Sequence, residues 1–377
     1  MTALISAAWG LEDGPEPGYD NRTAMDLART PHLNRLAGSA SAGQARFVVA
    51  GRRDPLRLAL SIAGYDPASL AGGVAPFEAM GCGAVLRPHQ VVFRMDLVTL
   101  EAGSLVSASP GDLQEGEAQA LFGMLKARVE DDKVKLYPAE GGRAFLVVDD
   151  VLLSDELVGL ELPEPGRSIG QVYPSVAGRS AAAALIEKVR SAAAEGLESH
   201  EINRVRIDLG ENPCNGVWIW AQGRSADLPS LRSKGSSKPL FIGGGPVHRG
   251  LAKALGADWA ETLDGKHEGY DLLFAMTVFE GPAGDLKERI RRIEEWDAVT
   301  GSLAEGSDGS RALAACTLET TGRRRALAPD RWMYLDGRCG GSSSVSAADA
   351  LAAATAPGRP VADGHGIWAG NADRRSD

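Results

Sequence analysis

Strand-length apolar runs alternate with helix-period segments along most of this chain, and that alternation constrains its fold more than any other feature. Residues 3–8 read as a strand. Residues 23–36 read as a helix that Thr30-Pro31 interrupts, because proline disfavours helix at the position before it. Residues 47–49 read as a buried strand, followed by a charged turn at 51–54, a short helix and a Gly-Tyr-Asp-Pro corner. Further on come a helix at 180–196, strands at 216–221 and 239–242, a helix at 247–255, a strand at 270–279 and a helix at 286–298. Two more strands are expected at 311–317 and 332–335. The pattern predicts an α/β core whose mostly parallel sheet is covered by helices on both faces.

One block breaks the alternation. VVFRMDLVTLE (91–101) has the period of a half-buried strand, GEAQALFGMLKARVE (116–130) has helical spacing, and VKLYP and AFLVVDDVLL return as strands. This predicts a smaller α+β cap domain at 87–184, inserted between core segments at 1–86 and 185–338. Residues 339–377 are rich in Gly, Ser and Ala with little apolar period, and are expected to form a flexible tail. A chain of 377 residues can bury a core for both domains. Its formal net charge of −10 argues against a nucleic-acid partner, which needs a basic face. No apolar stretch reaches bilayer length, and the first residues lack the basic flank of a signal peptide. Cys82, Cys214, Cys316 and Cys339 lie far apart without paired metal-ligand spacing, which fits a reducing cytoplasm.

Seven stretches carry a resemblance: RTPHLNRLA (29–37), LSIAGYDP (60–67), APFEAMGCGAVL (75–86), VVFRMDLVTLE (91–101), PGDLQEGEAQAL (110–121), SHEINRVRIDLGENPCNGVWIWAQG (199–223) and IRRIEEWDAV (290–299). In this order they resemble the archaeal-type, cofactor-independent phosphoglycerate mutases of the alkaline phosphatase superfamily, over roughly residues 10–300. The resemblance implies an alkaline-phosphatase-like core with two divalent metals on Asp and His ligands and a serine nucleophile. Two cations would neutralise the transferring phosphoryl oxygens and lower the pKa of the nucleophile.

This chain departs from that pattern at each of those positions. Trp9 stands where the resemblance puts the first metal-binding Asp, and indole has no lone pair for a metal. At the nucleophile turn one register sets Pro55 and Leu56 at the Ser and Asp, and another sets Arg53 and Asp54 there. No Ser, Thr or Cys occurs from 42 to 60. The counterparts of the later metal motifs, LLSDELVGLELPEPG, LLFAMTVFEGPAGD and ACTLETTGRRR, contain no His. The expectation is therefore a metal-free pseudoenzyme without a cofactor, with a binding or regulatory role. The alternative is an active mutase or phosphatase that uses an unrecognised nucleophile and Mn, Mg or Zn.

Arg143, Asn203, Arg204 and Arg206 are the residues the resemblance assigns to a surviving site for a small phosphorylated or carboxylated anion, since guanidinium binds such groups without metal. A protein partner is the other expectation. GGGPVHRG (243–250) is a strand-to-helix turn whose amides could hold an anion, although it lacks dinucleotide spacing. His248 is read as a polar residue of that helix, and His200 as bonding nearby backbone. Asp149 and Asp150 point to opposite faces of a strand, Cys214 is a small packed residue, and Trp218, Trp220 and Trp296 belong in or beside the core. Trp9 would fill the space left by absent cations.

Overall fold

A computed structural model of the chain describes residues 3–39, 41–46, 55–66, 69–70, 72–111, 113–149, 164–172, 181–224, 227–262, 269–279, 284–305, 311–320, 331–337 and 361–363. In chain order these form β1 (Ala3–Asp13), α1 (Ala24–Leu27), α2 (Pro31–Ser39), β2 (Ser41–Arg46), α3 (Pro55–Ile62) and α4 (Ala75–Gly81). Next come β3 (Val91–Glu101), β4 (Ser104–Ser107), α5 (Glu115–Val129), β5 (Val134–Ala139), β6 (Arg143–Val148), α6 (Ile169–Val172), α7 (Ala181–Leu197), α8 (Glu201–Asp208) and β7 (Gly216–Arg224). The last part holds β8 (Pro239–Gly243), α9 (Gly245–Ala254), β9 (Asp258–Ala260), β10 (Leu272–Val278), α10 (Leu286–Glu305), β11 (Arg311–Thr320), β12 (Arg331–Gly337) and β13 (Val361–Asp363). Two compact units result, Met1–Ser69 with Leu228–Asp377, and Leu70–Asp227. No described helix is long and apolar enough to cross a membrane.

In the first unit the described strands make an eight-stranded sheet in the order β13-β2-β12-β11-β1-β10-β8-β9. The pairs from β11 to β9 are all parallel, and β12 is antiparallel to both its neighbours. Leu4, Ala8, Leu240, Ile242, Leu273 and Ala275 pack with Met25, Leu33, Ile293 and Trp296 from α1, α2 and α10. Alternate residues of a strand point to opposite faces, and α3 and α9 contact β1 and β8. The fold expected from the alternating pattern is the one observed.

Several local expectations change. The first strand runs through Gly10 to Asp13 instead of stopping at residue 8, with a register shift against β11 between Ala8 and Leu11. Gly10 makes this possible. Its φ is +81°, and a Cβ there would lie 2.1 Å from the Phe279 carbonyl oxygen. The strand expected at 47–49 lies outside the described residues, and β2 forms just before it from the small and polar SAGQAR. Within 339–377 the three residues of β13 pair in parallel with β2, and the rest of the expected tail lies outside the described residues.

The long helix α10 holds the start of the chain. Trp296 is fully buried and donates from Nε1 to Ser6 Oγ at 3.1 Å, while Ser6 and Thr300 hydroxyls are 2.7 Å apart and Thr300 donates to the Trp296 carbonyl. Asp297 caps a neighbouring helix: its Oδ1 accepts from the backbone N–H groups of His32 (3.0 Å) and Leu33 (2.7 Å) in the first turn of α2. Pro31 has no N–H to satisfy, so two bonds settle most of that turn's exposed donors. Burial raises the Asp297 pKa above its ordinary value, against the lowering effects of the Leu33 and His32 amides and the nearby His32 and Arg35 side chains.

The sign of the resulting pH effect is fixed. A carboxyl whose folded pKa is raised favours folding when protonated, and that contribution disappears as pH climbs from 3.8 through the folded value. Asp297→Asn cannot titrate. Its stability relative to wild type is therefore expected to rise with pH across the window just above 3.8, read from paired denaturation midpoints. A constant difference across that window would refute the assignment.

The second unit, Leu70–Asp227, takes in α4 before residue 87 and α7, α8 and β7 around and after residue 184. The reason is packing: β7 pairs with β3, and α5 and α7 cover Phe93, Met95 and Leu146 on one sheet face. The sheet order is β4-β3-β6-β5, with β7 on β3. On a separate cluster, Ala75 and Ala79 of α4 pack with Val92, Phe145, Val147 and Ala221. Gly73 sets α4 against β7: its N–H donates to the Gln222 carbonyl, and a Cβ there would lie 2.6 Å from the Ala221 oxygen.

Candidate functional site

In the first unit the positions matched to the catalytic end fall at the C-terminal parts of β1 and the start of α3. Trp9 is half-buried, pairs in register with Val278 of β10, and its carbonyl accepts from the Phe279 N–H at 3.0 Å. Arg292 of α10 donates to the Gly10 carbonyl at 3.1 Å and lies over the Phe279 ring. Pro55 opens α3, where its missing N–H costs nothing, and Leu56 is wholly buried. Arg53 and Asp54 lie outside the described residues. Among the described residues no three His, Cys, Asp or Glu side chains converge in a way that could hold a metal ion, so the described donor set does not fit two cations.

The second unit carries a built charged cluster. Glu78, on the sheet-facing side of α4, is 2% exposed. Its Oε1 accepts from Arg143 Nη1 at 2.8 Å and Arg94 Nη1 at 3.2 Å. Arg94 and Asp96 sit two apart on β3, hence on one face, and Arg94 Nε donates to both Asp96 oxygens at 3.0 and 3.1 Å. Trp220 of β7 donates from Nε1 to Asp96 Oδ2 at 2.5 Å, and the Arg94 guanidinium lies 4.7 Å from the Trp220 ring centroid. Burial alone would lower the Arg94 pKa, but Asp96 and Glu78 outweigh it and hold the pKa above its ordinary value. Arg143 opens β6 after Gly141 and Gly142, which both turn at positive φ. Its side chain keeps 29% exposure, and its buried Nε has no acceptor.

Of the expected anion donors, Arg143 alone belongs to this cluster. The other three lie together on α8. Asn203 is fully buried, donating to the Leu197 and Cys214 carbonyls and accepting the Cys214 N–H. Arg206 is 1% exposed and spends its guanidinium on the Asn212 and Gly111 carbonyls, Glu117 and Glu211. Both act as struts for α8. Arg204 is exposed on the same helix. Trp220 packs beside the core as expected and also joins the charged cluster through Nε1, whereas Trp218 and Trp296 are fully buried. Glu78, Arg94 and Asp96 escaped the sequence reading. The signal for two of them was present: a pair of opposite charges at same-face spacing inside an apolar strand.

The remaining candidates behave as polar or packed residues. His200 caps α8 by accepting the Ile202 N–H, and His248 is buried with Nδ1 donating to the Gly244 carbonyl at 2.7 Å. Asp149 pairs with Arg87 and His89, while Asp150 lies outside the described residues. Cys214 is buried, and burial pushes its thiol up to about 11.

A mostly parallel core sheet interrupted in sequence by an antiparallel unit defines an alkaline-phosphatase-like α/β protein. Two solved structures share this fold. A Pyrococcus horikoshii protein superposes with a TM-score of 0.70 at 21% identity, covering 100% of this chain and 98% of its own. The cofactor-independent phosphoglycerate mutase from Thermoplasma acidophilum gives a TM-score of 0.58 at 20% identity, with 97% of each chain covered. The model of the 2,3-bisphosphoglycerate-independent phosphoglycerate mutase family matches residues 58–203. The enzyme of that name from Methanosarcina acetivorans is 27% identical over 310 residues, 77% of each chain. Over these stretches the chain is similar to the 2,3-bisphosphoglycerate-independent phosphoglycerate mutases.

Proposed function

We propose that this chain is a divergent, metal-free member of the 2,3-bisphosphoglycerate-independent phosphoglycerate mutase family, a pseudoenzyme that works in the cytoplasm as a binding or regulatory protein for a small carboxylated or phosphorylated anion. The observation that carries this reading is the nucleophile turn. It has no hydroxyl or thiol between 42 and 60: one register matches Pro55 and the wholly buried Leu56 at the head of α3, the other Arg53 and Asp54. Phosphoryl transfer through a covalent intermediate needs an activated oxygen or sulfur nucleophile there. Trp9 in place of a carboxylate supports the same reading, and it fills volume that a pair of ions would otherwise need. The anion is held by Arg143, whose buried Nε has no acceptor among the described residues. Fold and ancestry set the scaffold but leave the chemistry to the residues present.

The test is metal analysis of the full chain after saturation with manganese, zinc and magnesium and then desalting, followed by a phosphoglycerate mutase assay. Less than a tenth of an equivalent of retained metal and no turnover are expected, as an order-of-magnitude outcome. Near-stoichiometric metal with turnover would establish the other reading, an active phosphoryl-transfer enzyme with an unrecognised nucleophile.

A further inference from the structure

We infer that the ligand of the Arg143 site is a singly charged carboxylate, and that the site rejects phosphorylated forms of the same acid. This rests on the reading of Arg143 as the ligand anchor. The argument is one of charge already spent. Arg143 gives Nη1 to Glu78, and Glu78 also takes Nη1 of Arg94. Arg94 gives Nε to Asp96, whose Oδ2 is held by the Trp220 indole N–H. Two guanidiniums and two carboxylates sum to zero before any ligand arrives.

What remains without an acceptor among the described residues is the buried Nε of Arg143, on a side chain that keeps 29% exposure. A guanidinium N–H of this kind is satisfied by one carboxylate oxygen, without metal. That bond satisfies a buried donor that otherwise has no acceptor, so a carboxylate gains there even though the cluster is neutral. A second or third negative charge finds no cation of the cluster unpaired. It meets Glu78 and Asp96 instead, whose side chains are 3% and 9% exposed and are weakly screened by water. Asp96 is therefore the residue that sets the charge of the ligand. Replacing it by asparagine keeps an oxygen for the Arg94 and Trp220 donors while removing one negative charge from the cluster.

The experiment is an NMR titration of the full chain with glycolate and with 2-phosphoglycolate, following the indole N–H resonance of Trp220. Wild type is expected to bind glycolate at least about tenfold more tightly than 2-phosphoglycolate. Asp96→Asn is expected to shrink that ratio several-fold by improving 2-phosphoglycolate binding. Arg143→Met is expected to abolish both. Tighter binding of 2-phosphoglycolate to wild type, or an unchanged ratio in Asp96→Asn, overturns the charge selection while leaving Arg143 as anchor. Binding of neither acid to wild type, or binding that survives Arg143→Met, overturns the anchor reading and the selection with it.

Discussion

Arg206→Ala is expected to cost about 3–5 kcal/mol of stability, visible as a large fall in the denaturation midpoint of the unit that contains it. The size follows from what the side chain holds. Arg206 is 1% exposed and donates to the Gly111 carbonyl at 2.6 Å, the Asn212 carbonyl at 3.0 Å and Glu117 at 3.0 Å. Truncation leaves two carbonyls without a donor, each worth roughly 1–3 kcal/mol when buried and unsatisfied. Glu117 does double duty, since the same Oε2 accepts the Gln114 N–H in the capping box of α5. The loss therefore loosens α8 and the head of α5 together. Arg206→Lys should recover only part of the stability, because an ammonium cannot span acceptors arranged around a planar fork. A midpoint change below about 1 kcal/mol in Arg206→Ala would show that the strut carries no load. Ligand binding at Arg143 should persist in Arg206→Lys, which separates the two arginines by function.

The contrast between these two arginines marks the limit of what sequence reasoning could recover. Arg206 lies in a stretch that carries the family resemblance and Arg143 is a position that resemblance assigns, and charge alone does not say which is spent inside the protein and which keeps a donor without an acceptor. That distinction depends on the depth of α8 against the 110–117 segment, a long-range packing fact. The mostly parallel sheet and its helix cover were legible, because strand–helix alternation implies parallel strands joined by crossover helices. The strand β2 was not. SAGQAR has low strand propensity and is recruited by pairing with β12 and β13 on either side. Glu78 was hidden for a related reason. In APFEAMG it looks like a solvated helix charge, and only the close approach of Gly73 to β7 turns its helix so that the carboxylate meets two arginines. The extent of β1 was missed because Gly10 reads as a terminator in sequence, yet its positive φ lets the strand shift register and continue.

Trp296→Ala should be the most damaging single change in the core sheet unit, at about 3–5 kcal/mol, and Trp296→Phe should cost only about 1–2 kcal/mol. The indole is fully buried among residues of β1, β8, β10 and α2, so alanine opens a cavity in a packed core. Phenylalanine keeps most of the apolar contact and loses the Nε1 bond to Ser6. Ser6 is not then stranded, because its hydroxyl still pairs with Thr300 at 2.7 Å. The two variants thus separate volume from hydrogen bonding at one site, and equal losses in both would show that the Ser6 bond, not the filled volume, carries the stability. The same helix turn also supplies Asp297 to α2 and, one turn earlier, Arg292 to the Gly10 carbonyl beside Trp9. Disturbing Trp296 should therefore be felt at the end of β1, and the intrinsic fluorescence of the protein should change more than removal of one indole accounts for. If the chain is metal-free as proposed, the stability of that end of the sheet, where Arg292 bonds the Gly10 carbonyl, should be indifferent to added divalent metal.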